Sequence, residues 1–357
     1  MKILHVITSL RTGGAEKLLV DLLPRLKACG YDIELLLFDG TETHLRREIE
    51  ESGIKVYDLG IGGSVYSPLK FFKLLPFFKK YNIIHTHNTA PQLFVAIASL
   101  FNKVQLITTE HGGSNRRRSW KWYKPIDRWM YNRYKKIICI SEKGRDNLCQ
   151  FIGKSRSEII TINNGIDVAK FANSKSSILL EDTAPGSRKL IMVAGFRWEK
   201  DQPTVIKALK HLPDNFHLFL VGGGARRDEL MQLAKDESVK ERVHFLGIRN
   251  DVPKLLHAAD YVVMSSHFEG LSLSSVEGMC VGRPFVASDV DGLREVVKDA
   301  GILFPHEDFE ALANSIIQLE NSKDKYDAVC HSCRRQAQKF DIAQTMYGYA
   351  KVYNSIE

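Results

Sequence analysis

The stretch KILHVITSLRTGGAEKLLVDLLPRLKAC, residues 2–29, decides the fold. It opens with a continuous apolar run of strand length, turns through Gly13 and Gly14, and continues as a stretch with helical patterning. A buried strand, a glycine turn and a helix form the repeating unit of a parallel, doubly wound sheet. The unit recurs outward from there. DIELLLF (32–38), IKVYDL (54–59), NIIHTH (82–87), VQLITTE (104–110), KKIICIS (135–141) and EIITINN (158–164) are strand candidates, most of them separated by helical stretches. Continuous rather than alternating apolar runs mean that helices cover both faces of the sheet.

The alternation restarts with LIMVAGF (190–196), FHLFLVGGG (216–224), VHFLG (243–247), DYVVMSS (260–266), PFVAS (284–288) and GILF (301–304). A polar segment, ANSKSSILLEDTAPGSRK (172–189), lies between the two series and is the linker candidate. We therefore expect an N-terminal domain over 1–172 and a second over 173–340, with a terminal helix in 341–357 packing back on the first. The architecture is α/β: two doubly wound, Rossmann-like domains with an interdomain cleft. Ligands of such sheets bind at the carboxyl ends of the strands.

Composition agrees. A chain of 357 residues is too long for one ordinary core, and 44% hydrophobic with 26% charged residues describes a soluble globular protein. The first apolar run is too short for a signal peptide and lacks a cleavage pattern, and no run could cross a bilayer. A cytoplasmic protein is expected. The six cysteines show no disulfide rhythm, and the CxxC of Cys330–Cys333 has no second ligand pair, so reduced thiols are expected. The net charge of +8 is uneven: residues 1–170 hold 27 Lys and Arg against 16 Asp and Glu, the remainder 23 against 26. The two halves thus face different partners.

The strand ends carry the candidate chemistry. Gly13 and Gly14 let backbone amides approach a ligand oxygen, although an ordinary tight turn has the same look. No GxGxxG and no GxxxxGK[ST] occurs, which removes the main support for nicotinamide and P-loop readings. His85 and His87 share one strand face, so sheet packing also fits them, while His111 stands between Glu110 and the pair Gly112–Gly113. Strand-end histidines beside glycines suit a close substrate that needs a hydrogen-bond donor. In the second half, Arg197 and Lys200 follow a buried strand and can neutralise a phosphate, one as a fork and one as a point charge. Glu269 precedes a serine-rich helix start and Glu277 lies about one turn inside that helix. Free amides there suit phosphate, although each carboxylate alone also fits simple dipole complementarity.

The segments TGGAE, TEHGG, NNGID, GFRWEKDQP, VGGGARRDEL, FLGIRNDV and EGLSLSSVEGMCVGRPFVASDVDGLREVV occur in this order. In that order, over nearly the whole chain, the sequence resembles the family 4 (group 1) retaining glycosyltransferases, nucleotide-sugar-dependent enzymes of GT-B fold. The spacing Glu269-x7-Glu277 with the PFVASDV run that follows carries most of the resemblance. It implies that Glu269 contacts sugar hydroxyls of the donor and Glu277 the ribose. It further implies that Gly270, Leu271, Ser272 and Leu273 meet the diphosphate, with Gly13, Gly14 and Gly222 on the donor side. Lys200 matches the diphosphate lysine, His111 the histidine beside the donor sugar, and Ile248 and Arg249 border the base. One departure stands out: Gly195 occupies the place of the family's arginine, and Arg197, two residues on, is the available surrogate.

The implied reaction transfers a hexosyl or N-acetylhexosaminyl group, with retention, from a nucleoside diphosphate to an acceptor hydroxyl. A uridine donor is favoured over a guanosine one, and the product belongs to cell-surface glycan or glycolipid synthesis. His111, Glu269, Lys200 and Arg197 form the expected catalytic set. No cofactor and no metal is expected: Asp289-Val290-Asp291 has the form of a metal-binding DxD but falls inside the family run. On the acceptor side we place His87 and two basic–aromatic stretches, YSPLKFFKLLPFFKKY (66–81) and SNRRRSWKWYK (114–124), the latter with Arg116, Arg117, Arg118 and Trp120. Such stretches dock on anionic membranes, although the first also fits a core-packed helix with snorkelling lysines. No RNA-binding motif accompanies them, so no nucleic-acid partner is expected. A lipid, lipid-linked or saccharide acceptor and a peripheral position at the inner membrane face follow. An epimerase or hydrolase of the same fold, and a non-catalytic nucleotide-sugar-binding protein, are the alternatives.

Overall fold

A computed structural model describes residues 1–11, 13–112, 123–174, 180 and 184–356. The chain forms two compact units, Met1–Gly165 with Ile342–Glu357, and Ile166–Asp341.

The first unit is built on a parallel sheet of seven strands: β1 (Lys2–Ile7), β2 (Asp32–Leu37), β3 (Lys55–Asp58), β4 (Ile83–His87), β5 (Gln105–Glu110), β6 (Lys136–Cys139) and β7 (Ile159–Thr161). Their spatial order is β3-β2-β1-β4-β5-β6-β7. The reversal of winding falls between β1 and β4, which pair in register with His5 beside His85. Alternation along β1 sends Ile3 and Ile7 into one apolar layer and Leu4 and Val6 into the other. The layer holding Ile3 and Ile7 also receives Tyr349 and Tyr353 from the C-terminal helix Ile342–Asn354. That helix is further tied by the Tyr31 hydroxyl, which donates to Asn354 Oδ1 over 2.8 Å.

The second unit carries six parallel strands: β8 (Arg188–Val193), β9 (Phe216–Val221), β10 (Val243–Gly247), β11 (Tyr261–Met264), β12 (Phe285–Ser288) and β13 (Ile302–Phe304). Their order is β10-β9-β8-β11-β12-β13, with the reversal between β8 and β11. Its apolar core runs continuously through both faces. The polar stretch 172–189 does not divide the units: the chain changes over at Gly165–Ile166, and Leu180, within that stretch, is buried in the second core.

The stretch 66–81 folds as the helix Pro68–Leu74 followed by a 3-10 turn, with Leu74, Phe78 and Tyr81 buried in the first unit's core and Lys73, Lys79 and Lys80 exposed. Lys70 is buried and its ammonium donates to the carbonyls of Phe38 and Gly62, while Leu69 (71% exposed) and Phe72 (64%) face outward. Stretch 114–122, with Arg116, Arg117, Arg118 and Trp120, lies outside the described residues. All six cysteines are free thiols. Burial pushes the Cys333 thiol up to about 12, so it stays protonated.

Candidate active site

In the second unit the loops after β8 and β11 bring two expected residues together. Beyond β8 a single 3-10 turn, Trp198–Lys200, presents Lys200. Its ammonium pairs directly with the Glu269 carboxylate from the loop after β11. Side-chain exposures of 16% and 10% make this a largely desolvated ion pair. Ser266 Oγ donates to the same Glu269 oxygen over 2.8 Å. Resting Lys200 is therefore matched to a carboxylate.

Arg197, by contrast, is exposed and has no side-chain hydrogen bond or ion pair among the described residues. Its Nε lies 3.6 Å from where a side chain at Gly195 would begin. The Arg197 side chain thus runs beside the position of Gly195. The Gly195 carbonyl is held by Gln202 Nε2 at 3.0 Å.

Gly222 ends β9 with φ +147°, and a β-carbon there would collide with the carbonyl oxygen of Ala194. Its glycine identity brings the β9 turn hard against the β8 loop. Ile248, expected at the base, is 82% exposed, whereas Arg249 is held in a two-pronged contact with Asp251 at 2.8 and 2.6 Å. The helix Leu273–Cys280 begins at Ser272 without a side-chain cap, so its first amides lack that acceptor. Gly270 precedes this start, Leu271 and Ser272 are buried at it, and Ser275 Oγ donates to Ser272 Oγ over 2.8 Å. Glu277 is half-buried, one turn into the helix.

Asp289 and Asp291 both bind Arg294, at 2.6 and 3.3 Å, which gives the DxD form a local role. Asp201, His267 and His306 bring potential ligand atoms within 4.8 Å of one another.

The sequence reading missed several neighbours of this site. Trp198 and Phe268 are exposed aromatics with ring centroids 6.2 Å apart, and Trp198 also stands 4.3 Å from the His267 ring. Exposed tryptophan beside strand-end loops was a readable signal. Gly292 was not: it packs under the Glu269–Gly270 backbone, where any β-carbon would collide with the Gly270 carbonyl.

In the first unit, Gly13 precedes the helix Gly14–Ala28, again with no side-chain cap. The Glu16 carboxylate folds over Gly13, and burial raises its pKa. Asn88, which follows β4, has φ +68°, an unfavourable conformation for a non-glycine residue, and its side chain lies 3.5 Å from Glu16 Oε1. Thr8, Tyr66, Asn88, Thr89, Glu110 and His111 line one pocket of about 440 Å³.

Behind His111 the histidines form a chain. His111 Nε2 meets His87 Nδ1 at 2.9 Å and His87 Nε2 meets His5 Nδ1 at 3.0 Å. His87, placed on the acceptor side from sequence, is fully buried with both ring nitrogens engaged; it supports His111 and offers nothing to a ligand. His85 is equally buried. Burial lowers His5 to about 3 and His111 to about 4. Burial also lowers His85 and His87 well below the ordinary value, the neighbouring rings adding to the effect. All four are neutral imidazoles at physiological pH.

Two family models match the chain: Glycosyltransferase Family 4 over residues 12–170 and Glycosyl transferases group 1 over residues 181–340. Together they span nearly all of it. The chain belongs to the group 1, family 4 glycosyltransferases. It is 26% identical over 274 residues to the UDP-Gal:alpha-D-GlcNAc-diphosphoundecaprenol alpha-1,3-galactosyltransferase of Escherichia coli, covering 72% of this chain and 70% of that one. It is 25% identical to the phosphatidyl-myo-inositol mannosyltransferase of Mycolicibacterium smegmatis, over 96% of this chain and 90% of the relative. Among solved structures, Anabaena HepE in complex with UDP superposes with a TM-score of 0.86 at 24% identity, covering 99% of this chain and 100% of HepE. The two doubly wound units are those of a GT-B glycosyltransferase.

Proposed function

We propose that this glycosyltransferase moves a hexosyl or N-acetylhexosaminyl group, with retention, from a UDP-sugar to a hydroxyl of a lipid-linked or saccharide acceptor. The observation that carries the reading is the grouping in the second unit of Arg197, the Lys200–Glu269 pair and an uncapped helix start. A uridine donor is supported by the E. coli relative, named for UDP-Gal, and by the HepE complex with UDP. A lipid-linked acceptor is supported by the diphosphoundecaprenol and phosphatidyl-inositol of the relatives' names.

In this mechanism the bond between the anomeric carbon and the diphosphate oxygen breaks as the acceptor oxygen bonds to the same face of the sugar. The acceptor's proton passes to the leaving phosphate, so no side-chain base is required. The departing diphosphate gathers negative charge. Arg197, Lys200 and the amides of Leu271, Ser272 and Leu273 stabilise that charge without reorganising. Glu269 binds sugar hydroxyls once the phosphate draws Lys200 toward itself, and Glu277 binds the ribose. The exposed Ile248 lies against the base. No metal takes part, and excess chelator leaves the rate unchanged.

The first unit serves the acceptor. Its exposed apolar residues Ile61, Tyr66, Leu69 and Phe72, flanked by exposed Lys73, Lys79 and Lys80, suit the surface of an anionic membrane. No helix among the described residues is long and apolar enough to span one, and a peripheral place at the inner face is the corresponding reading.

A thermal-shift panel of nucleotide sugars tests the donor. A UDP-sugar at one hundred times its dissociation constant stabilises by about 2.7 kcal/mol, and stabilisation by GDP-sugars alone would overturn the uridine reading. Product analysis with and without acceptor separates transfer from hydrolysis and from binding without turnover.

A further inference from the structure

The histidine chain continues past His5 and ends in two phenols. His5 Nε2 meets the Tyr353 hydroxyl at 3.1 Å, and that hydroxyl meets His85 Nδ1 at 2.8 Å. His85 Nε2 meets Thr109 Oγ1 at 2.8 Å, and Thr109 Oγ1 meets the Tyr349 hydroxyl at 2.9 Å. The order is thus Tyr349, Thr109, His85, Tyr353, His5, His87, His111. Every member before His111 is buried, and His111 Nδ1 is buried with no hydrogen-bond partner among the described residues.

A neutral imidazole has one N–H and one lone pair, and each hydroxyl has one proton to give. The chain therefore has two self-consistent directions, and they can be counted. If protons run from His111 toward Tyr349, the Tyr349 O–H is left with no acceptor and His111 Nδ1 is left as a bare lone pair. If they run toward His111, Tyr349 donates to Thr109, Thr109 to His85 and His85 to Tyr353. Tyr353 then donates to His5, His5 to His87 and His87 to His111 Nε2. One group remains unpaired, an N–H on His111 Nδ1. Buried donors and acceptors are paired wherever geometry permits, so the second direction holds.

We infer that Tyr349, Thr109, His85, Tyr353, His5 and His87 are positioning residues that fix His111 in the Nδ1–H tautomer, so that an uncharged histidine donates a hydrogen bond to a carbohydrate oxygen. The carbohydrate part of this statement rests on the function proposed above; the tautomer part does not. Because His111 lines the pocket with Asn88 and Thr89, a sugar hydroxyl or ring oxygen there supplies the acceptor that Nδ1 lacks. A neutral donor suits an uncharged oxygen: it binds it without placing a charge beside it.

Long-range proton–nitrogen correlation spectra of the full chain labelled with ¹⁵N-histidine read the tautomer directly, with His111→Gln assigning the resonances. The expected result is His111 protonated on Nδ1 at neutral pH, changing to a mixture in Tyr353→Phe, which cuts the chain. Thr109→Val cuts it elsewhere with little change in volume and serves if Tyr353→Phe does not fold. Tyr31→Phe, whose hydroxyl binds the same helix outside the chain, leaves the signal unchanged. An Nε2–H tautomer in the wild type, or an unaltered tautomer in both chain-cutting variants, would overturn the relay. Where the tautomer is as expected, a saturating acceptor saccharide shifts the His111 resonances. No shift would leave the relay standing and remove His111 from the proposed sugar site.

Discussion

Lowering the pH from 8 to 5 should destabilise the first unit most, because four buried imidazoles there are held neutral. His5 and His111 are held at about 3 and about 4 by burial, against 6.5 when exposed. Neither owes any of its shift to a carboxylate, so nothing offsets the cost of charging them. The folded values are depressed, so below pH 6.5 the unfolded chain binds protons that the folded chain refuses. Stability is fully present above 6.5 and is lost as the pH falls from there toward 4 and then 3. At pH 5 each of the two contributes a loss of about 2 kcal/mol. His85 and His87 are shifted in the same direction and add to the loss. For a unit of this size, 4 kcal/mol lowers the Tm by roughly 8–16 °C. Most carboxylates titrate below this window, so pH 6.5 to 5 isolates the histidines.

The assay is thermal unfolding across that window, with hydrogen exchange of β1, β4 and β5 amides reporting the first unit separately. Wild type is compared with His5→Gln, which removes one of the refused protons. The variant's stability should fall less steeply, by about 1.3 kcal/mol per pH unit. A wild-type Tm flat between pH 8 and 5, or a pH slope identical in His5→Gln, would refute the reasoning.

Arg197→Ala should lower kcat by about 10–100-fold if its guanidinium replaces the family arginine. Adding Gly195→Arg to that variant should restore much of the loss, since a β-carbon at Gly195 meets nothing closer than 3.6 Å; steady-state rates of the two variants decide it. Lys200→Ala leaves Glu269 largely buried without its cation, so both stability and product formation fall, the former by about 3 kcal/mol in a denaturant titration. Gly292→Ala forces the Glu269–Gly270 backbone outward at a cost of about 1–3 kcal/mol. It should weaken UDP-sugar binding in calorimetry while the far-UV spectrum stays unchanged. Leu69→Asp with Phe72→Asp should abolish flotation with anionic vesicles and leave transfer to a soluble acceptor intact, whereas full retention of flotation would remove this face from the membrane account.

Both sheets were legible because buried parallel strands are written as uninterrupted apolar runs, and glycine marks where the chain must leave them. Strand-end residues such as Lys200, Glu269 and His111 were legible for the same reason: topology places strand ends together whatever the side chains do. Partnership between side chains was not legible. Lys200 and Glu269 are 69 positions apart, and His85 meets Tyr353 across 268. The helix Pro68–Leu74 shows a subtler failure. Its lysines and apolar residues occupy neighbouring faces with equal periodicity, so pattern alone cannot say which is inside. The packing splits the set: Leu74 is buried, Lys70 goes inward with it to donate to the carbonyls of Phe38 and Gly62, and Leu69 and Phe72 are left outside.

The two units hold their candidate site groups in opposite ways, and the ligand chemistry proposed above would account for the difference. His111 stands at the end of a saturated, solvent-free chain in which changing one proton's place requires moving all of them. Such a group can present a single hydrogen-bonding direction at no cost on binding, which suits an uncharged oxygen with little electrostatic pull of its own. A diphosphate carries a large negative charge and can draw cations toward it. Arg197 is left in solvent and Lys200 is stored against Glu269, an arrangement that the proposed function would use. Storing Lys200 on Glu269 keeps a largely buried ammonium and a largely buried carboxylate from costing stability separately. On the proposed function, the same pairing would make the phosphate contact and the hydroxyl contact available in one event, with Glu269 freed for the sugar when the diphosphate arrives.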